Sequence, residues 1–232
     1  MNKLFPAENQ IQFVTNFHDL ISTPFHGVIN AICWNRPLVG DFSEIINKFE
    51  ADENITTIDE AALCEICLSE EGNLAREMLL GDMKFLEAHG ASPILNIIKS
   101  YDRDEDNAVF PTDVYSFHVD RSPVPVDTFL CTYYGTTSEI LPNALGEKKI
   151  LIPEIRNELR RQYADEDSGF ESYLSENFYD LHYKAKANAV PISLGLGHLC
   201  RIAIDHPEIT VPPCLHRAPL EKAGQPRLLL IC

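Results

Sequence analysis

Residues 113–135 read DVYSFHVDRSPVPVDTFLCTYYG, and they place two polar side chains where a β-strand is otherwise indicated. The stretch is rich in Val, Tyr, Phe and Thr, which is typical of strands. His118 and Asp120 are two positions apart, and residues i and i+2 of a strand point to the same face of the sheet. We therefore expect an imidazole and a carboxylate side by side. Alone, such a pair is more often a surface histidine beside a solvated aspartate, so its meaning depends on a partner elsewhere in the chain.

That partner is expected in the last seventeen residues, HRAPLEKAGQPRLLLIC. His216 ends a short β-like segment, Arg227 begins an apolar strand, and the turn-forming residues EKAGQP lie between them. This pattern predicts that the two strands pair as a hairpin-like unit. Two histidines and one carboxylate are the ligands that occupy one face of an octahedral ferrous ion and leave three positions open. Four protein ligands would instead indicate a closed structural zinc site.

The motif HVD, the distal HRAP and the arginine that follows it together resemble the Fe(II)/2-oxoglutarate-dependent dioxygenases, over roughly residues 113–232. The resemblance implies a double-stranded β-helix core, that is, a jelly-roll or cupin-like fold. It also implies that His118, Asp120 and His216 bind Fe(II). Arg227 would then bind the far carboxylate of the co-substrate 2-oxoglutarate, a task that suits the planar, two-pronged guanidinium group.

The activity implied by this resemblance is the oxidative decarboxylation of 2-oxoglutarate to succinate, coupled to hydroxylation of a small molecule or of an amino-acid or peptide side chain. A narrower resemblance rests on FHVDRSPVPVDTFLCTYYG, SEILPN and HRAP, which are similar to a bacterial family catalogued only as a domain of unknown function. This second resemblance implies no substrate.

Two further residues are candidates for binding co-substrate or substrate. Tyr133 and Tyr134 alternate along the strand, so only one of them can point into the core of a barrel. We favour Tyr134, which shares a face with Thr132 and would bind 2-oxoglutarate through its phenol, although a core aromatic is an equally good interpretation. Arg121 follows the predicted ligand Asp120 and points the other way; it is a candidate for contacting substrate, and a surface salt bridge is the favoured alternative.

Composition and charge exclude some classes of partner. The chain has 232 residues, of which 45% are hydrophobic and 23% charged, with a formal net charge of −16. Binding to the phosphates of a nucleic acid needs clustered Lys and Arg, so this acidity argues against a nucleic-acid partner. No apolar run approaches the roughly 18 residues of a membrane span. The N-terminal residues lack the features of a signal peptide, so we expect a cytoplasmic protein.

The seven cysteines are irregularly spaced, which predicts reduced thiols rather than a disulfide framework. Cys64 and Cys67 have the spacing of redox or zinc motifs, but without a second such pair we expect buried structural cysteines. His198 and Cys200 alternate on a predicted strand and offer a further metal ligand, with a packed core histidine as the favoured interpretation. The remaining histidines have no supporting pattern: His18, His26, His89, His182 and His206.

Hydrophobic periodicity predicts an α+β protein that forms a single domain over residues 1–232. We expect a mainly helical N-terminal part over 1–110 and a jelly-roll core over 111–232 that contains a helical insertion at about 152–188. Within the N-terminal part, the pattern predicts helices at 42–51, 70–90 and 91–101, the second one ended by Gly90, and a strand at 27–38.

Three hypotheses about function follow. The first is a mononuclear iron oxygenase that uses 2-oxoglutarate. The second is a non-enzymatic protein that binds zinc or another divalent metal with the same His/Asp/His set. The third is an interaction or scaffold domain on a degenerate jelly roll that binds no metal. The chain has no Gly-x-Ser-x-Gly motif, phosphate-binding loop or dinucleotide fingerprint, which argues against hydrolases and nucleotide-binding enzymes.

Overall fold

A computed structural model describes residues 10–49, 53–104, 110–163, 169–220, 222 and 224–232. In this part of the chain the helices are α1 (Phe17–Ser22), α2 (Phe42–Lys48), α3 (Glu60–Glu65), α4 (Glu70–Ala88), α5 (Pro153–Gln162) and α6 (Phe170–Glu176). The strands are β1 (Ile11–Val14), β2 (Ala31–Trp34), β3 (Ile55–Ile58), β4 (Ile94–Ile98), β5 (Phe117–His118), β6 (Thr128–Tyr134), β7 (Glu139–Leu141), β8 (Gly146–Lys148), β9 (His182–Ala185), β10 (Ile192–Ser193), β11 (Leu199–Ile202), β12 (Leu215–Arg217) and β13 (Arg227–Ile231).

The strands form two sheets. The larger has the order β1-β2-β11-β6-β13-β4-β3, and the smaller has the order β10-β7-β12-β5-β9-β8. Neighbouring strands are antiparallel, apart from the parallel pair β1 and β2. The protein is therefore a mixed α+β structure with two mainly antiparallel sheets, an arrangement compatible with a β-sandwich.

Eight of these strands pair from the outside of the sequence inwards. β4 pairs with β13, β5 with β12, β6 with β11, and β7 with β10. The resulting ribbon is wound so that β13 also pairs with β6 in the larger sheet and β12 also pairs with β7 in the smaller sheet. Successive pairs of the ribbon thus lie in alternate sheets.

Each face of the larger sheet contributes to a different hydrophobic core. On one face, Leu130 and Leu229 pack in a cluster with Ile140 of the smaller sheet, so this core lies between the sheets. On the other face, Phe129 packs with residues of α2 and α4, including Ile45 and Leu79. Alternation of side chains along β6 and β13 explains why one strand serves both cores.

The predicted helices at 42–51 and 70–90 are present as α2 and α4. The carboxylate of Asp41 accepts hydrogen bonds from the backbone N–H groups at the start of α2, and the hydroxyl of Ser69 accepts one at the start of α4. These are typical N-cap interactions. Gly90 follows the end of α4 with a φ of +92°, as expected for a glycine that ends a helix.

The segment 91–101, predicted as a helix, instead contains strand β4, so that prediction is wrong. β4 lies between β13 and β3, where Leu95 and Ile97 are buried. A short apolar run carries no periodicity strong enough to separate the two structures, and pairing in the sheet decides between them. With β1, β2 and β3, the N-terminal part contributes four strands in its described ranges and is less helical than predicted.

Two other boundaries differ from the expectations drawn from the sequence. The helical insertion ends before His182, because His182–Ala185 forms β9 of the smaller sheet rather than part of a helix. The predicted hairpin of the last two strands is also wrong. β12 pairs with β5 and β7, whereas β13 pairs with β4 and β6, so the connection between them crosses from one sheet to the other. None of the helices in the described part of the chain is both long and apolar enough to cross a bilayer.

The cysteines also differ from expectation. Cys33 and Cys200 lie directly opposite each other on β2 and β11 and form a disulfide, with their Cα atoms 4.1 Å apart. Spacing in the sequence could not reveal this pair, because the sheet brings together residues 167 positions apart. Cys64 and Cys67 are free and exposed, so the prediction that they are buried is wrong.

Candidate metal centre

His118, Asp120 and His216 come together on the inner side of the smaller sheet. One ligand atom from each side chain lies within 4.8 Å of the others, and within the described ranges this is the one such cluster of His, Cys, Asp and Glu. Oδ1 of Asp120 is 3.9 Å from Nε2 of His118 and 3.6 Å from Nε2 of His216. The cluster joins a strand near the middle of the chain to one near its end.

Strand pairing sets the positions of the two imidazoles. His118 is opposite His216 across β5 and β12, and His216 is in turn opposite Ile140 of β7. Residues directly opposite in an antiparallel pair share a face. Since Ile140 belongs to the core between the sheets, both imidazoles also face the larger sheet.

Hydrogen bonds to the backbone orient both imidazoles. Nδ1 of His118 is 2.8 Å from the carbonyl oxygen of Ser116, and Nδ1 of His216 is 3.3 Å from that of Cys214. A carbonyl only accepts, so each Nδ1 carries the proton and donates it. Each Nε2 is then directed to the side occupied by Asp120, which is the arrangement of metal-binding histidines held by a hydrogen bond at the other ring nitrogen.

Asp120 is oriented through its second oxygen. The hydroxyl of Thr128 donates a hydrogen bond of 2.7 Å to Oδ2, which leaves Oδ1 towards the imidazoles. Burial alone would raise the pKa of Asp120, but His216, the Thr128 hydroxyl and His118 outweigh it, and the pKa is lowered. The carboxylate is therefore ionised at neutral pH.

His118 is neutral at the same pH. Burial, followed by the neighbouring His216, lowers the pKa of His118 to about 4. A neutral imidazole and a carboxylate with one free oxygen are the protonation states that a metal ion requires of such ligands. In an octahedral ion with bonds of about 2.1 Å, neighbouring ligand atoms lie about 3 Å apart, so small side-chain movements would suffice for binding. The donor set therefore fits a divalent ion, with coordination positions left open.

A third imidazole, for which the sequence showed no supporting pattern, lies in the same row. His182 of β9 is directly opposite His118, and their ring centroids are 5.7 Å apart. His182 is 5% exposed, and its Nδ1 has no hydrogen-bond partner in the described part of the chain. Burial, then the neighbouring His118 and Lys149, lower its pKa to about 3. The alternating sequence HYKA indicates a strand that contains His182, but it lies at the end of the segment that was predicted to be a helical insertion.

Arg227, the predicted 2-oxoglutarate ligand, begins β13 and is buried. Its guanidinium donates to the carbonyl oxygen of Thr136, to the hydroxyl of Tyr101 at 3.3 Å and to the hydroxyl of Ser138 at 3.0 Å. The turn before Ser138 packs tightly on this arginine. At Gly135, with a φ of +84°, an added Cβ would lie 2.5 Å from a carbonyl oxygen of the chain leading into Arg227.

Ser138 places Arg227 relative to the metal centre. Ser138 directly precedes β7. Ile140, two positions later, lies on β7 opposite His216. The hydroxyl that contacts Arg227 therefore lies about 7 Å along the strand and about one strand spacing, 5 Å, from the backbone of His216.

Tyr134 is half-buried and packs against the core formed with the helices, on the side of the larger sheet away from the smaller one. A change of register between Leu228 and Leu229 places Tyr134 opposite Leu228, which belongs to that same core. Tyr133 is fully buried there and donates a hydrogen bond to Asp82. The role of Tyr134 in binding 2-oxoglutarate therefore remains a prediction without a supporting contact.

Arg121 forms ion pairs with Asp180 and, at 2.8 Å, with Asp205. It also borders a surface pocket with Ser122 and His206. The ion pairs correspond to the salt-bridge alternative, and a contact with substrate remains a prediction. His198 lies just before β11, where its ring contacts that of Phe13, outside the cluster of metal ligands.

Comparisons of the chain with family models, with curated proteins and with solved structures found no match. Fold and site together therefore define a class: a sheet-rich α+β protein with a His/Asp/His cluster suited to a metal ion.

Proposed function

We propose that the protein is a non-haem Fe(II)/2-oxoglutarate-dependent oxygenase that hydroxylates a small molecule or an amino-acid side chain. The observation that carries this proposal is the convergence of His118, Asp120 and His216. Both imidazoles are held by their Nδ1 atoms, and one carboxylate oxygen faces them. Three protein ligands leave the open positions that co-substrate and O₂ need, which a closed four-ligand zinc site lacks.

The strand order supports the jelly-roll part of the proposal. A jelly roll arises when an antiparallel ribbon of eight strands, paired first to last, is wound into two sheets. Numbered along the chain, β4, β5, β6, β7, β10, β11, β12 and β13 pair as 1·8, 2·7, 3·6 and 4·5. They give the sheets 1-8-3-6 and 2-7-4-5, and β1, β2, β3, β8 and β9 extend the edges. The metal ligands then lie on strands 2 and 7 or just after strand 2.

The surroundings of Arg227 support a co-substrate site. Its guanidinium is buried next to the hydroxyls of Tyr101 and Ser138, all donors to a carboxylate. We propose that this group holds the far carboxylate of 2-oxoglutarate while the keto-acid end reaches the metal. The separation between the Ser138 hydroxyl and His216 that strand geometry gives is comparable to the length of 2-oxoglutarate.

In this mechanism each side chain has a separate task. His118, His216 and Asp120 bind the metal, and Thr128 keeps the second carboxylate oxygen of Asp120 turned away from it. Arg227 orients the co-substrate. Apolar residues between the sheets exclude water from the reacting groups. Bound Fe(II) and 2-oxoglutarate would supply the oxidation of a substrate C–H bond by O₂, with release of succinate and carbon dioxide.

The test begins with anaerobic addition of Fe(II) and 2-oxoglutarate to the purified protein. By the family resemblance, chelation should produce a weak visible charge-transfer absorption, and admission of O₂ with ascorbate should release succinate. Substituting His118, Asp120 or His216 by Ala should abolish both signals, whereas His206→Ala, outside the cluster, should retain them. Iron binding without absorption or succinate would overturn the oxygenase proposal.

The second candidate is a protein that binds zinc or another divalent ion without oxygenase activity, and the same ligand set supports it. A thiolate would strengthen that candidate, and Cys214 precedes His216 by two positions. However, the cluster of ligand atoms does not include Cys214, the pKa of whose thiol is raised by burial and by the nearby charge of Asp120. The oxygenase proposal therefore remains the better supported one.

A further inference from the structure

A row of four basic side chains crosses the smaller sheet. His216, His118 and His182 are directly opposite one another on β12, β5 and β9. On the next strand, Lys148 is opposite Tyr183, and Lys149 follows it as the first residue of a 3₁₀ turn, Lys149–Leu151, that packs against β9. The row therefore begins at the metal centre and ends in an ammonium group two strand spacings, roughly 10 Å, from His118.

The ammonium group of Lys149 uses only some of its hydrogen-bond donors within the described part of the chain. It is half-buried, and its Nζ donates to the carbonyl oxygen of Pro111 at 3.1 Å and to the hydroxyl of Ser116 at 2.6 Å. Both partners are neutral, and among the described residues Lys149 forms no ion pair. An ammonium group has three donors, so one remains for a ligand. A partly buried charge without a counter-ion is costly, and an anionic ligand would remove that cost.

The nearby carboxylates of Asp104 and Asp113 form hydrogen bonds with groups other than Lys149. Asp104 accepts hydrogen bonds from the backbone N–H and the hydroxyl of Thr112. Asp113 accepts them from the backbone N–H groups of Tyr115 and Ser116. Their charges act on Lys149 without a direct contact. They orient the loop that carries Ser116 rather than neutralise the ammonium group.

His182 supplies the second, independent observation. Its side chain is buried, and its Nδ1 lacks a hydrogen-bond partner in the described ranges. Buried polar atoms are nearly always paired in folded proteins, so an orphaned ring nitrogen beside a metal cluster indicates a missing ligand. Phe110 contacts both groups: its ring lies 6.1 Å from that of His182 and 5.0 Å from Nζ of Lys149. The imidazole of His182, the ammonium group of Lys149 and the ring of Phe110 thus form one small site with both polar and apolar surfaces.

We propose that His182 and Lys149 bind an anionic group, a carboxylate or a phosphate, of the molecule that reacts at the metal centre. Nδ1 of His182 and the third proton of the Lys149 ammonium are the donors. That the anion belongs to the reacting substrate rests on the proposed oxygenase function, whereas anion binding itself does not. The substrate class is then an acidic molecule whose charged group lies on the order of 10 Å from the metal.

The first experiment measures anion binding to the full-length chain after a chelator has removed metal, so that the anion cannot bind the metal. Inorganic phosphate and, separately, acetate are titrated while the ¹³Cε1–¹H signals of the histidines are recorded by NMR. The signal of His182 is assigned by its loss in His182→Gln. We expect this signal to shift saturably with at least one of the two anions at millimolar concentrations.

Variants of Lys149 decide where the anion binds. Lys149→Met should weaken binding at least about tenfold, the usual effect of removing a charged hydrogen-bond donor. Lys149→Arg should retain binding and shows that the site tolerates substitution. Lys148→Met is the matched control, because this neighbouring lysine points to the other face of the sheet, and it should bind like the wild type. A His182 signal that neither anion moves, or that moves equally in Lys149→Met, overturns the proposal.

A second experiment separates this inference from the proposed function. At a 2-oxoglutarate concentration that just saturates the wild type, the absorption should persist in Lys149→Met and be strongly reduced in Arg227→Ala. If the absorption is lost in Lys149→Met but not in Arg227→Ala, the site formed by His182 and Lys149 binds the co-substrate. That result would overturn the assignment of this site to the substrate. Anion binding in a protein that never shows the absorption would overturn the oxygenase function and the substrate assignment while leaving the anion site established.

Discussion

His118 and His216 lie directly opposite each other on β5 and β12, with their ring centroids 4.4 Å apart. Their separation is fixed by the hydrogen-bonded pairing of two strands rather than by a loop. Both rings are further held by Nδ1 bonds to the carbonyl groups of residues two positions earlier. Ligands mounted on paired strands keep their geometry, which favours a preformed metal site over one assembled on binding.

Thr128 should control metal affinity without touching the metal. Thr128→Val removes the hydrogen bond to Oδ2 of Asp120, so the carboxylate loses its fixed orientation. We expect Fe(II) or Zn(II) affinity to fall about 10–100-fold, the usual effect of removing a partner of a metal ligand. Thr132→Val, the same change at another buried position of β6, is the control and should bind metal normally. Equal affinities in the two variants, measured by competition with a metal indicator, would contradict this role.

Arg227 should control co-substrate binding without affecting the metal. Arg227→Ala should retain iron and lose affinity for 2-oxoglutarate by about 10–100-fold, since a charge-assisted hydrogen bond contributes about 1.5–3 kcal/mol. Lysine should restore only part of this affinity, because an ammonium cannot make the two-pronged contact. Titration of the visible absorption gives both affinities. Unchanged 2-oxoglutarate affinity in Arg227→Ala would remove this residue from the site.

Acid should destabilise the metal-free protein through its buried imidazoles. In the unfolded chain a histidine binds a proton below about pH 6.5, whereas folding lowers the pKa of His118 to about 4 and that of His182 to about 3. Their contribution to stability is therefore complete above pH 6.5 and is lost as the pH falls towards 4 and 3.

Each of these two groups should lower the free energy of unfolding by about 2 kcal/mol between pH 7 and pH 5. Urea unfolding of the metal-free protein at both values measures the loss. His182→Gln should show a loss smaller by about 2 kcal/mol than that of the wild type. The same loss in both proteins would mean that His182 is not buried in its neutral form.

The Cys33–Cys200 disulfide should be detectable by counting thiols. Of the seven cysteines, five should react with an alkylating reagent in denaturant without reductant, and all seven after reduction. The bond joins residues 167 positions apart, so replacing both cysteines by Ala should lower stability on the order of 5 kcal/mol. Wild-type protein kept under reductant is the control and should lose a similar amount. Seven reactive thiols without reductant would exclude the bond.

Cys64 and Cys67 should be dispensable. Both are exposed, and neither belongs to the metal cluster. Replacing both by Ala should change the free energy of unfolding by no more than about 0.5 kcal/mol, as is usual at the surface, and should leave metal content unchanged. Elemental analysis of the purified variant is the check. Loss of one metal ion per chain would instead support the zinc-binding alternative.

The sequence by itself determined the elements with strong local signals. The capped, periodic segments at 42–51 and 70–90 are helices, since capping and helical spacing are properties of neighbouring residues. The His118-x-Asp120 spacing placed two ligands together, because alternation in an extended chain follows from covalent geometry. The family resemblance added His216, which the structure brings to the same cluster.

Tertiary structure alone decided the features that depend on which strand lies beside which. The segment that became β4 has an apolar run compatible with helix or strand, and pairing with β13 and β3 fixed it. The neighbours of His182 and of the Cys33–Cys200 pair could not be read from local sequence, because only the sheet registers bring these partners together. The pairing of distant strands leaves no local pattern in the sequence of either strand, and this pairing placed His182 in line with the metal ligands.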